Sequence, residues 1–187
     1  SRPYPTLYFR SGLFTVGPDE RLVDCGASIG ESTGGLLALT RNRIGRSWML
    51  EPDKFNHARL EALMAEAPAA IRPRLSLHKV AVGSAAGRMR FNHVGGHTGS
   101  ITADSHAYGE IEEVEVRTID ATIDAPPTFI KMDIEGAELD ALRGATGAIR
   151  AGRPKMAISA YHRTTDLIDL PRFVDSVDSG YRIGIRH

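Results

Sequence analysis

Short apolar runs that alternate with helical patterns constrain this 187-residue chain more than any other feature. Leu22–Cys25, Ser47–Leu50 and the set Leu75, Leu77, Val80 and Val82 read as the first three strands. Thr128–Met132, Met156–Ala160 and Tyr181–Ile185 read as the fourth to sixth. A helix through Leu36, Leu37 and Leu39, stopping near Asn42, follows the first strand. Leu60, Leu63, Met64 and Ala67 recur at i, i+3, i+4 and i+7, one apolar helix face. Leu139, Leu142 and Ile149 mark a helix ending at Gly152. Leu170, Phe173, Val174 and Val177 mark a last one, with Pro171 in its first turn. Repeated βα units of this length predict an α/β fold, a mostly parallel sheet with helices on both faces.

The rhythm breaks between Gly83 and Ile123. This stretch holds Gly95-Gly96-His97, Gly99 and His106, with strand-like pieces at Met89–Asn92 and Val114–Thr118. It is read as an antiparallel excursion with a mobile loop, inserted between the third and fourth strands.

A chain of this length predicts one domain, residues 1–187, able to bury roughly 70% of its unfolded surface without disulfides or metal. Its lone cysteine, Cys25, rules out an internal disulfide framework. Twenty-three basic and twenty-three acidic residues balance to zero net charge, which argues against nucleic acid as the main partner. No apolar run approaches the ~20 residues of a membrane helix, and Ser1-Arg-Pro-Tyr-Pro5 is not a signal peptide. The expectation is a soluble cytoplasmic protein without a membrane partner. The absence of an initiator Met reads as a processed or excised start.

In open parallel sheets ligands bind beyond the carboxyl ends of the strands, at the topological switch point. Those ends are Asp24–Gly30, Glu51–Asp53, Ala81–Gly83, Asp133–Glu138 and Tyr161-His162. In Asp24-Cys-Gly-Ala-Ser-Ile-Gly30, Gly26 and Gly30 let backbone approach a ligand, and the helix start offers amide donors. Ala27-Ser28 stands where a dinucleotide loop has a second glycine for pyrophosphate. The loop therefore suits a nucleoside ligand with an amino-acid end. Otherwise it is an ordinary tight βα turn. Glu51 follows the second strand, where an acid accepts hydrogen bonds from two ribose hydroxyls. Its plainer reading is a solvated acid beside the turn at Pro52.

Asp133 and Glu135, two apart, point to one face if the backbone is extended. Two carboxylates pressed together repel, which raises one pKa and is tolerated mainly at sites. They could bind an ammonium group, orient a hydroxyl, remove its proton or hold a cation. Glu138 is explained largely by capping the following helix. His162, ending the fifth strand, is a candidate general base beside them, or a simple packing residue.

Together these pieces resemble the FkbM-type methyltransferase family. The resemblance rests on Val23–Gly30, Leu50-Glu-Pro-Asp53, Val80-Ala-Val-Gly83 and above all Phe129–Ala145, with Lys131-Met-Asp-Ile-Glu-Gly-Ala-Glu138 its most specific string. Arg153-Pro154 and Tyr161-His162 continue it. It implies a three-layer Rossmann-like methyltransferase sandwich with S-adenosylmethionine as cofactor. It also implies O-methylation of a hydroxyl on a sugar or natural-product small molecule. Asp24, Gly26, Ala27, Ser28, Gly30, Glu51, Pro52, Ala81, Val82 and Asp133 would line the cofactor pocket. Asp133, Glu135 and His162 would carry the chemistry, with His162 or Asp133 as base. Rival readings are a metal-dependent O-methyltransferase with Asp133 and Glu135 on Mg²⁺, an NAD(P)-dependent oxidoreductase, and a non-catalytic module of the same fold. Class I methyltransferases commonly end in a hairpin whose seventh strand lies beside the fifth. This chain stops at His187, so the expectation is either a truncated domain or a strand supplied from elsewhere in the chain or by a second copy in a homodimer.

Overall fold

The computed structural model describes residues 7–9, 12–94, 100–101 and 110–186. Five parallel strands form the main sheet in the order β3-β2-β1-β8-β9. They are β1 (Arg21–Cys25), β2 (Arg46–Leu50), β3 (Leu75–His78), β8 (Phe129–Met132) and β9 (Lys155–Ile158). Every pairing is parallel, with Val23 opposite both Trp48 and Ile130. The chain runs outward from β1 through β2 to β3, then returns to place β8 on the other flank of β1. The switch point therefore lies between β1 and β8.

Period-two alternation sorts the strand side chains into two cores. Val23, Cys25, Trp48, Leu50, Ile130 and Met132 face α4 (Glu138–Arg143), α5 (Thr146–Gly152) and α6 (Asp166–Val177). Leu22, Met49, Leu75 and Phe129 face α1 (Glu31–Leu39) and α2 (Lys54–Glu66). Helices thus cover both faces, and the three-layer α/β expectation holds.

The third strand is two pieces rather than one. Leu75 and Leu77 share one parity, Val80 and Val82 the other, and a one-residue slip flips every side chain to the opposite face. Leu75 and Leu77 accordingly join the α1–α2 core, whereas Val80 and Val82 join the α4–α6 core. β4 (Ala81–Val82) leaves the main sheet and pairs parallel with β7 (Glu110–Arg117). β7 also pairs antiparallel with β5 (Gly87–His93), from Gly87 opposite Val116 to His93 opposite Glu110. With β6 (Ser100–Ile101) they make a second, four-stranded sheet. The antiparallel excursion is therefore present, while Gly95-Gly96-His97, Gly99 and His106 lie outside the described residues.

Three other expectations are corrected. The helix through Leu139 and Ile149 is broken at Gly144, which caps α4, accepts the Asp120 amide at 3.0 Å and lies so near the Gly83 carbonyl oxygen that a Cβ would stand 2.2 Å from it. The chain restarts as α5, whose Gly147 and Ala148 amides donate to Asp120 in α3 (Ile119–Thr122). Pro171 sits in the second turn of α6 rather than its first. Tyr181–Ile185 forms no strand: Ile183 and Ile185 are exposed, and Tyr181 donates to the Pro154 carbonyl at 3.0 Å. Among the described residues β9 is the sheet edge, and no helix is long and apolar enough to cross a membrane.

Candidate active site

A cleft opens at the carboxyl ends of β1, β2 and β8, where the switch-point rule places it. Its floor is the glycine loop after β1. Gly26 has φ +70°, and a Cβ there would stand 2.1 Å from the Asp133 carbonyl oxygen, so only glycine lets the loop and the end of β8 meet. The amides of Gly26 and Ala27 both donate to the Leu50 carbonyl. Ser28, also left-handed at φ 52°, donates its amide to Glu51 Oε2 at 2.7 Å. Glu51 Oε1 takes the Asp53 amide at 2.9 Å. Burial outweighs these hydrogen bonds and pushes the Glu51 carboxyl up to about 7.

Beneath the floor lies a buried polar layer. Lys131 projects from the middle of β8 into the α1–α2 side and donates to the Gly26 carbonyl at 2.6 Å and the Cys25 carbonyl at 3.2 Å. Its ammonium is 3.3 Å from Asp24 Oδ1, while Asp24 Oδ2 accepts from Thr33 at 2.9 Å. The lysine thus fixes the loop from below. The Cys25 thiol is buried on the opposite face, and burial pushes it up, away from the reactive thiolate.

Asp133 forms one wall. Tyr8 donates to its Oδ2 at 2.6 Å and Tyr161 to its Oδ1 at 3.1 Å. Tyr8 is brought over the cleft by Phe9, buried with its ring 5.0 Å from that of Phe129. The Tyr8 ring also faces the Lys131 ammonium at 5.3 Å. Glu135 lines the same wall for a different reason from the one expected. β8 ends at Met132, and Glu135 and Gly136 are both left-handed at φ 55° and 95°, so a turn, not an extended strand, aims the two carboxylates together. The expected rise in one carboxyl falls on Glu135, driven first by burial, with Asp133 adding to it and His162 opposing it.

His162 does not end a strand, since β9 stops at Ile158. It lies behind the two wall carboxylates, with Nε2 3.5 Å from Asp133 Oδ1 and 3.6 Å from Glu135 Oε2. Its Nδ1 is 2.9 Å from Oε1 of Glu138, which is 1% exposed. Glu138 stands in the first turn of α4, where its charge was expected, but makes no cap hydrogen bond to that helix; it accepts the Ile134 amide at 2.9 Å from the preceding turn and completes this buried group. Asp133, Glu138 and His162 bring donor atoms within 4.8 Å of one another; Glu135, the partner expected for Asp133 in a magnesium pair, is not in that set.

The cleft is thus lined by Gly26, Ala27, Ser28, Glu51, Pro52, Ala81, Val82, Asp133 and Glu135, all singled out from the sequence. Asp24 and Gly30 are not on its surface: Asp24 is fully buried under the loop, and Gly30 packs against Leu60 and Leu63 of α2. Tyr8 and Lys131 were missed. A lysine in an otherwise apolar strand was the signal for Lys131; no local pattern marks Tyr8.

A mostly parallel sheet, a glycine loop tied to an acid on the next strand, and a carboxylate wall define an α/β domain of the methyltransferase type. The Methyltransferase FkbM domain matches residues 24–183, and the chain belongs to that family. The FkbM methyltransferase from Methylobacillus flagellatus KT is 44% identical, covers the whole chain and superposes with a TM-score of 0.84. This chain spans 44% of that protein's length. Precorrin-6y C5,15-methyltransferase from Geobacter metallireducens GS-15 is 13% identical over 90% of this chain and 74% of its own, with a TM-score of 0.47. A comparison with curated proteins gave no match.

Proposed function

We propose that this domain binds S-adenosylmethionine and transfers its methyl group to a hydroxyl of a sugar or natural-product small molecule. The single observation that carries the reading is the Ser28–Glu51 tie. It places a two-oxygen acceptor for ribose hydroxyls beside a loop too bulky for pyrophosphate. Pro52, Ala81 and Val82 would hold the adenosine, and the glycine loop and Asp133 would hold the amino-acid end.

Transfer is an in-line displacement. Bound there, S-adenosylmethionine would supply an activated methyl to the acceptor oxygen, the C–O bond forming as the C–S pair returns to sulfur. Holding the partners in line supplies most of the acceleration. The wall of Asp133 and Glu135, backed by His162, takes the hydroxyl proton as attack proceeds. Calorimetry with S-adenosylmethionine, S-adenosylhomocysteine and NAD tests the reading: the first two bind and NAD does not. Binding of NAD alone discards it.

A further inference from the structure

His162 and Glu138 are buried together behind the cleft wall. The His162 side chain is 8% exposed, and neither ring nitrogen has an aligned hydrogen bond among the described residues. Glu138 Oε2 is likewise unpartnered. No lysine or arginine pairs with Glu138 among those residues, and the nearest side-chain N–H it could accept from is that of the imidazole 2.9 Å away. An ionised carboxylate in a dry site is stabilised by the N–H nearest to it, which favours one tautomer of a neighbouring histidine.

The other face of the ring looks toward the cleft wall. Asp133 has both oxygens engaged by Tyr8 and Tyr161. Glu135 accepts no hydrogen bond among the described residues, lines the cleft, and is held in a left-handed conformation that side chains other than glycine seldom adopt. Strain of that kind persists where the position is over-determined, and its effect here is to bring a free carboxylate to the cleft with His162 Nε2 3.6 Å behind it.

We propose that Glu138 holds the His162 proton on Nδ1, leaving Nε2 to receive the proton that Glu135 collects from the acceptor hydroxyl. Glu138 is then a positioning residue, and the inference rests on the methyl-transfer reading. In the step, the hydroxyl proton passes to Glu135 as the C–O bond forms and the C–S pair goes to sulfur. Glu135 passes that proton to Nε2, giving an imidazolium between carboxylates. Loss of the proton to water, after the product leaves, resets the group.

The test reads the tautomer directly and needs no acceptor. In protein labelled with ¹⁵N-histidine, the His162 signal is assigned by its loss in His162→Gln. Above the pH at which the imidazolium gives up its first proton, the remaining proton should be on Nδ1. A proton on Nε2 overturns the proposal. In Glu138→Leu the population should move to Nε2. If that variant does not fold, Glu138→Gln, whose amide can donate to Nδ1 as well as accept from it, should give a mixed Nδ1 and Nε2 population; a population unchanged from wild type overturns the proposal. Selective broadening of His162 by stoichiometric Mn²⁺ also overturns it, because a cation would then occupy the proton's place. A separate titration with S-adenosylmethionine reads the cofactor assignment alone, so failure of either result is distinguishable from failure of the other.

Discussion

Glu51 accepts the Ser28 amide at 2.7 Å, joining the end of β2 to the loop that follows β1. The same carboxylate is buried, and its carboxyl is pushed up to about 7. A carboxyl whose folded value lies above its unfolded one binds protons more tightly when folded. Stability then falls as pH rises from about 4.5 through 7. Glu51→Gln removes this dependence. Melting temperatures measured from pH 5 to pH 8 should therefore show wild type losing ground to the variant. Affinity for S-adenosylmethionine should run the other way in wild type, rising through pH 7 as the acceptor ionises. Parallel melting curves at every pH would refute the assignment.

Lys131 and Asp24 form a buried pair whose lysine also holds two loop carbonyls. Removing one partner of such a pair leaves an uncompensated charge, at a cost of about 3–5 kcal/mol. Lys131→Met should show this loss in urea denaturation, and Lys131→Met combined with Asp24→Asn should recover part of it. A single variant as stable as wild type would mean that the pair does not form.

Gly26→Ala meets two penalties, a left-handed φ of +70° and a Cβ 2.1 Å from the Asp133 carbonyl oxygen. The expected destabilisation is at least about 3 kcal/mol, with loss of cofactor binding. Gly34→Ala, where a Cβ meets nothing within 4 Å, is the matched control and should be tolerated.

Asp133→Asn keeps the shape of the wall but removes the charge that Tyr8 and Tyr161 share. Methyl transfer should fall by about 10²-fold or more. Wild-type transfer should persist in EDTA, since the proposed proton route through Glu135 and His162 uses no metal. Full activity of the variant, or loss of wild-type activity on chelation, would each redirect the mechanism.

Residues with strong local signatures announced themselves in the sequence. The period-two strands, the α2 face through Leu60 and Met64, and the acids at strand ends were all legible, because alternation and strand-end position are short-range properties. The break at Lys79-Val80 was legible too, in the parity slip between Leu77 and Val80, but a continuous apolar count hides it. At the split, Gly144 meets a carbonyl from Gly83, distant in sequence, and no local rule reports it. Tyr8 reaches Asp133 across 125 positions, and the pairing of Glu138 with His162 likewise arises only when the start of α4 and the segment after β9 fold onto each other. Capping chemistry was a sufficient account of Glu138 until its second neighbour came into view.

Asp53 divides its carboxylate between two masters. Oδ1 caps α2 through the amides of Phe55 and Asn56, and Oδ2 accepts the Val94 amide at the end of β5. The second sheet is therefore fastened to the first domain layer next to the cofactor wall by a backbone group, which any residue except proline can supply. Beside it, the Lys54 amide donates to His93 Nδ1 and the Lys54 ammonium pairs with Glu110 and Glu112 of β7, so side chains share the joint. A change at Asp53 would therefore be felt in the α2 cap and in the second sheet at once.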